Sequence, residues 1–156
     1  RLASVNAFAL TAIYAGVLVL YWLAKAFLHA RSIRRAPVGT ISLIPSAWVP
    51  WRYYGCADRG DRLLLFRMNG LTAHTGGEHD VTTYDATYAP LLSPLPDYRR
   101  MCALSPAYRV TAATASPNGT TLTCRDLRTR NFGGRFGELN VTLSPTGQIL
   151  RSHFHV

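Results

Sequence analysis

The sequence is short of acid. It holds 8 Asp and Glu against 17 Lys and Arg, and no acid falls within residues 1–35. Five of the basic residues lie there, so the net charge splits into +5 over residues 1–35 and +4 over the remainder. Positive charge gathered at one end of an apolar stretch suits anionic lipid headgroups better than nucleic acid. No run of interleaved basic and aromatic residues makes a DNA or RNA platform, so nucleic acid is not expected as a partner. Cysteine is scarce too: Cys56, Cys102 and Cys124 are odd in number and widely spaced. They form no C-x-x-C pair and no zinc pattern, and are expected as buried thiols of a reducing compartment. A Gly-rich phosphate loop, a G-x-S-x-G elbow and any long repeat are also missing. The chain therefore shows no complete active site, no metal site and no cofactor motif.

What it does have is one long apolar run. Residues 2–24 carry no charge, and residues 7–24 read AFALTAIYAGVLVLYWLA. About 20 apolar residues suffice for a helix to cross roughly 30 Å of hydrocarbon. In lipid such a segment must be helical, because only then does its backbone satisfy its own hydrogen bonds. Tyr21 and Trp22 stand near one end, where headgroups would be, and Lys25, Arg31, Arg34 and Arg35 follow. A secretory signal would carry its charge before the apolar core and a small-residue cleavage site after it. The expectation is a transmembrane helix with a basic juxtamembrane end over residues 1–35. Small residues at Ala7, Ala9, Ala12, Ala15 and Gly16 would let other membrane helices pack closely. The positive-inside bias puts the larger, later part on the cytoplasmic side of a cell inner membrane. Since Arg1 is no natural start, the chain is expected to be processed or the tail of something longer.

Residues 36–50 read as an apolar connector in which Pro37, Gly39, Pro45 and Pro50 forbid a helix. Trp48 and Trp51 suit an interfacial contact. Residues 51–156 read as a soluble antiparallel-sheet domain. Two strands, 51–56 and 62–67, flank a turn at Gly60. The signal then fades over 71–87, where Gly76-Gly77 suggests a loop. Residues 88–96 look extended and Pro-rich, and Asp97 is placed to cap a short helix over 98–104. Strands follow at 108–115, 120–129, 138–143 and 149–155, with turns at 116–119 and 144–147. A longer loop, RNFGGRFG, has Phe132 and Phe136 as anchors. The fold class expected is membrane-anchored α+β: one transmembrane helix followed by a small, mainly antiparallel β-sheet domain with a short helix.

The most suggestive polar cluster is Arg125, Asp126 and Arg128. On a strand, Asp126 and Arg128 would share a face with Leu122 and Cys124, and a buried carboxylate there needs one of the arginines. An ion pair bracing the following loop is the expectation, since no nucleophile, base or second carboxylate accompanies it. His153 and His155 on the last strand, and His74, Glu78, His79 and Asp80 in a loop, are weak metal-ligand candidates. His29 reads as a solvated interface residue.

Certain pieces together resemble a known family. They are Pro45-Ser-Ala-Trp48 after a last membrane helix and its basic tail, then Pro96-Asp-Tyr-Arg99 and Ser105-Pro-Ala-Tyr108. Cys124-Arg-Asp-Leu-Arg128, a Phe-bearing loop and Ser144-Pro-Thr-Gly147 complete the set. This pattern resembles the C-terminal part of bacterial membrane-bound metal-dependent hydrolases of the YdjM and YbcI type. The resemblance implies a last helix plus an accessory domain in a polytopic inner-membrane protein. The family's presumed His and Asp metal ligands lie in a membrane half outside this chain, so none is carried onto a residue here. A non-enzymatic, membrane-anchored interaction subunit of a membrane protein complex is the alternative expectation.

Overall fold

The computed structural model describes residues 7–46, 48–131 and 137–155. Helix α1 spans Ala7–Arg35. At 1.5 Å per residue it is about 43 Å long, and residues 8–35 contain a stretch long and apolar enough to cross a membrane. None of that apolar stretch is buried against the rest of the chain. Phe8, Ile13, Tyr14, Val17, Leu20 and Leu23 are each at least 60 % exposed. Among the described residues, the later turns of α1 are the ones that meet the remainder of the fold.

Two four-stranded antiparallel meanders follow, rather than the single sheet expected. The first orders its strands β1 (Thr40–Pro45), β2 (Arg52–Asp58), β3 (Arg62–Asn69) and β4 (Thr75–Thr82). The second orders β5 (Tyr108–Ser116), β6 (Gly119–Asp126), β7 (Glu138–Leu143) and β8 (Ile149–His155). Between them lie helices α2 (Asp85–Leu92) and α3 (Pro96–Leu104), and a 3-10 helix, Leu127–Asn131, follows β6. Phe132 and Phe136 lie outside the described residues.

The first sheet is covered on both faces. On one, Tyr53, Ala57, Leu64, Phe66 and Met68 form a buried cluster, against which Leu28 of α1 and Ala36, just past its end, pack half-buried. On the other, Cys56, Leu63 and Leu65 meet Ala107 and Leu127 from the second half of the chain. Cross-strand pairing sets this division: Tyr53 faces Met68, Gly55 faces Phe66 and Ala57 faces Leu64. The Phe66 ring lies directly over Gly55, and a side chain at that glycine would collide with it. The second sheet packs one face, with Val110, Leu122, Cys124, Leu139, Val141 and Leu143, on Leu92 and Tyr98 of the two short helices.

Four sequence expectations are corrected. The connector over residues 36–50 contains β1, because an edge strand tolerates Pro45 where a central one would not. Residues 71–87 hold β4, whose polar sequence suits an exposed edge. Gly77, at φ +62°, makes the bulge that sets two residues against Phe66. Residues 88–96 are partly helical: burying Leu92 completely outweighs the backbone donor that Pro90 lacks. Leu95, not Asp97, occupies the N-cap of α3, since Pro96 takes the first helical position.

Candidate functional site

The C-terminal end of α1 is where the apolar rod meets the folded head. Leu28, Ser32 and Ala36 recur at helical spacing, so one stripe of the helix faces the first sheet. Ser32 is fully buried. Gly70 allows this approach: a Cβ there would stand 2.8 Å from the Tyr53 ring and 3.0 Å from Ser32 Oγ. His29, expected as a solvated residue, is half-buried, with its Nδ1 closed off from solvent. Its ring stacks on Tyr53 at 5.6 Å between centroids and 29° between planes. Helical periodicity turns it inward with Leu28 and Ser32, a signal that was present in the sequence.

The other residues expected at a membrane interface fall in several places. Lys25 holds its ammonium 5.6 Å from the ring centres of both Tyr21 and Trp22. Arg31, Arg34 and Arg35 line a depression of about 400 Å³ with Phe27 on another flank of the helix. Trp48 is 91 % exposed and Trp51 43 %. Trp51 also lines a cleft of about 290 Å³ with Arg52, Arg67 and His74.

The structure divides the Arg125–Asp126–Arg128 cluster into two ion pairs. Asp126 takes both oxygens to Arg128, with Nε 3.1 Å from each and Nη2 2.8 Å from Oδ2. The Arg128 backbone N–H also donates to Oδ1, at 2.9 Å, and Arg128 Nη2 donates to the Leu104 carbonyl at 3.1 Å. Burial opposes ionisation of Asp126, but the hydrogen bonds from Arg128 and Ser105 outweigh it and hold the carboxyl below the usual range. The pair therefore staples the end of α3 to the end of β6. Arg125 turns to the opposite face and donates from Nε to Glu138 at 2.7 Å. Glu138 accepts from Asn140, and Asn140 accepts from Thr123, making a polar ladder across β6 and β7.

Sequence reasoning missed a third ionic seam. Arg109 lies 3.2 Å from Asp85 and 3.4 Å from Asp58, tying α2, β5 and β2 together. Asp85 Oδ1 also accepts from the Val110 backbone N–H at 3.0 Å. Desolvation raises the Asp85 pKa against the pull of that bond and of Arg109. These residues lie far apart in sequence, so no local pattern announces them.

Acid–base behaviour nearby is not that of a nucleophilic centre. Burial pushes the Cys124 thiol up to about 12, and raises Cys102, Tyr98 and Tyr108 as well. All four stay protonated at neutral pH, so neither thiol is activated. Cys56 and Cys124 are buried, whereas Cys102 is exposed, contrary to expectation. His153 and His155 sit 4.3 Å apart edge-to-face. His79, Glu78 and Asp80 lie on β4 rather than in a loop. Among the described residues no group of three or more His, Cys, Asp or Glu is arranged to hold a metal ion.

No family model, curated protein or solved structure matches the chain.

Proposed function

We propose that this chain is a membrane-tethered accessory module: α1 crosses the bilayer, and its emerging end is the fixed mount for two sheets held beside the membrane. The observation that carries this reading is the contrast along one helix. Among the described residues its apolar stretch buries nothing, while Leu28 and Ala36 pack against the core of the first sheet and Ser32 is fully buried between them. Large exposed side chains all around a rod require an apolar solvent or partner helices. A cleavable leader would not share its last turns with the core of the domain behind it. The basic residues after the span put the sheets on the cytoplasmic side of the inner membrane in this reading.

The resemblance in sequence supports a finer reading. The module would be the C-terminal portion of a metal-dependent membrane hydrolase, with the reactive site on other helices and the sheets covering or docking against it. Washing membranes with alkaline carbonate tests the tether. The full chain stays with the lipid, whereas a V17R/L20R variant, with charges near mid-bilayer, is released. Release of the unaltered chain would overturn the tether. Counting divalent metal in the detergent-purified chain tests the division of labour. Less than stoichiometric zinc or manganese fits an accessory role, and one tightly held equivalent would put a metal centre in this polypeptide.

A further inference from the structure

A groove of about 260 Å³ opens where α1 leaves its apolar stretch, lined by Trp22, Lys25, Ala26, His29, Pro45 and Tyr53. We propose that it holds one anionic phospholipid, with the phosphate on Lys25 and the first acyl carbons over Trp22, Ala26 and Pro45. The inference rests on the bilayer reading above, which places this level of the helix among headgroups.

Three observations favour that occupant. Lys25 is cationic, and no carboxylate pairs with it among the described residues; its ammonium is steadied only by the Tyr21 and Trp22 rings. A phosphate supplies the missing charge. Most of the remaining lining is apolar, as an acyl chain requires. Finally, Tyr53 is fully buried, yet its hydroxyl has no hydrogen-bond partner among the described residues, and neither has His29 Nδ1. Buried polar groups are ordinarily satisfied. Both atoms are closed to solvent, so a small turn of the His29 and Tyr53 rings into the groove brings them to an ester or phosphate oxygen, with the Tyr53 hydroxyl and His29 Nδ1–H donating. A lipid thus offers, in one molecule, an anion for Lys25, acceptors for the two donors and an acyl chain for the apolar lining.

The arginine collar attracts anionic lipid without any groove, so the test must separate the two. In the full chain carrying W48F and W51F, Trp22 is the only tryptophan left. The protein is reconstituted in phosphatidylcholine vesicles with a minor fraction of phosphatidylglycerol, and bromine is placed on the acyl chains of one lipid or the other. Brominated phosphatidylglycerol should quench Trp22 as if enriched roughly fivefold over the same mole fraction of brominated phosphatidylcholine, the enrichment one interfacial lysine contact gives. K25Q should cut the preference to the level the arginine collar alone sustains by removing the charge, and A26L should cut it as far by filling the groove while the charge stays. Equal quenching by both lipids, or a preference undiminished by A26L, would overturn the site and leave the tether standing. No quenching by either lipid would overturn the tether itself.

Discussion

At the scale of single residues, burial and partner decide what each charged group does. Asp126 is only 6 % exposed and bound bidentately, so removing its charge strands Arg128. Asp126→Ala should cost about 2–3 kcal/mol, less than the loss of a deeply buried pair because the arginine is partly in water. A shift in urea midpoint at unchanged slope measures it; a change below a few tenths of a kcal/mol would contradict the staple. The pH dependence has a fixed sign. Asp126 has a depressed pKa in the folded state, so its contribution is present above the unfolded value of about 3.9 and fades as pH falls through the lower folded value. Asp85 has a raised pKa, so it takes its proton first on acidification. Carboxyl resonances followed by NMR should titrate in that order. Ser32 offers an opposite expectation. Its buried hydroxyl has no partner among the described residues, so Ser32→Ala should be neutral or stabilise by up to about 1 kcal/mol in thermal unfolding.

At the scale of elements, the chain is most legible where composition and burial agree. Alternation in Leu139, Val141 and Leu143 marks β7, and all three are buried. The apolar run marks α1, because nothing but length and absence of charge is needed to see it. The elements that escaped are those shaped by their neighbours. Edge position rescues Pro45 in β1, a glycine bulge shapes the polar β4, and one fully buried leucine holds Pro90 inside α2. The same holds for the polar groups. Asp126 and Arg128 are two residues apart and could be paired by eye, whereas Asp85, Arg109 and Asp58 meet only through tertiary packing. Packing at Gly55 gives a direct test of this level. Gly55→Ala puts a methyl into the Phe66 ring and should destabilise the first sheet by about 1–3 kcal/mol. Hydrogen exchange should speed across β2 and β3 well before β6 and β7. Uniform exchange across both sheets would show them to be one cooperative unit instead.

At the scale of the whole molecule, the proposed tether gives α1 two solvents. Along its apolar stretch it offers side chains outward on every side, and over its last turns it becomes one wall of a protein core. In the proposed arrangement the head is seated on the end of the span, and Lys25, His29 and Tyr53 lie at the boundary. A single-cysteine spin-label scan of α1 in vesicles, with the exposed Cys102 replaced by Ala, tests this most directly. The account predicts high oxygen and low polar-relaxant accessibility at every position from 8 to 24. From 28 to 36 it predicts a helical repeat, with 28, 32 and 36 immobile and shielded from both reagents. Polar relaxant reaching positions 8–24, or free label motion at 28, 32 and 36, would contradict it.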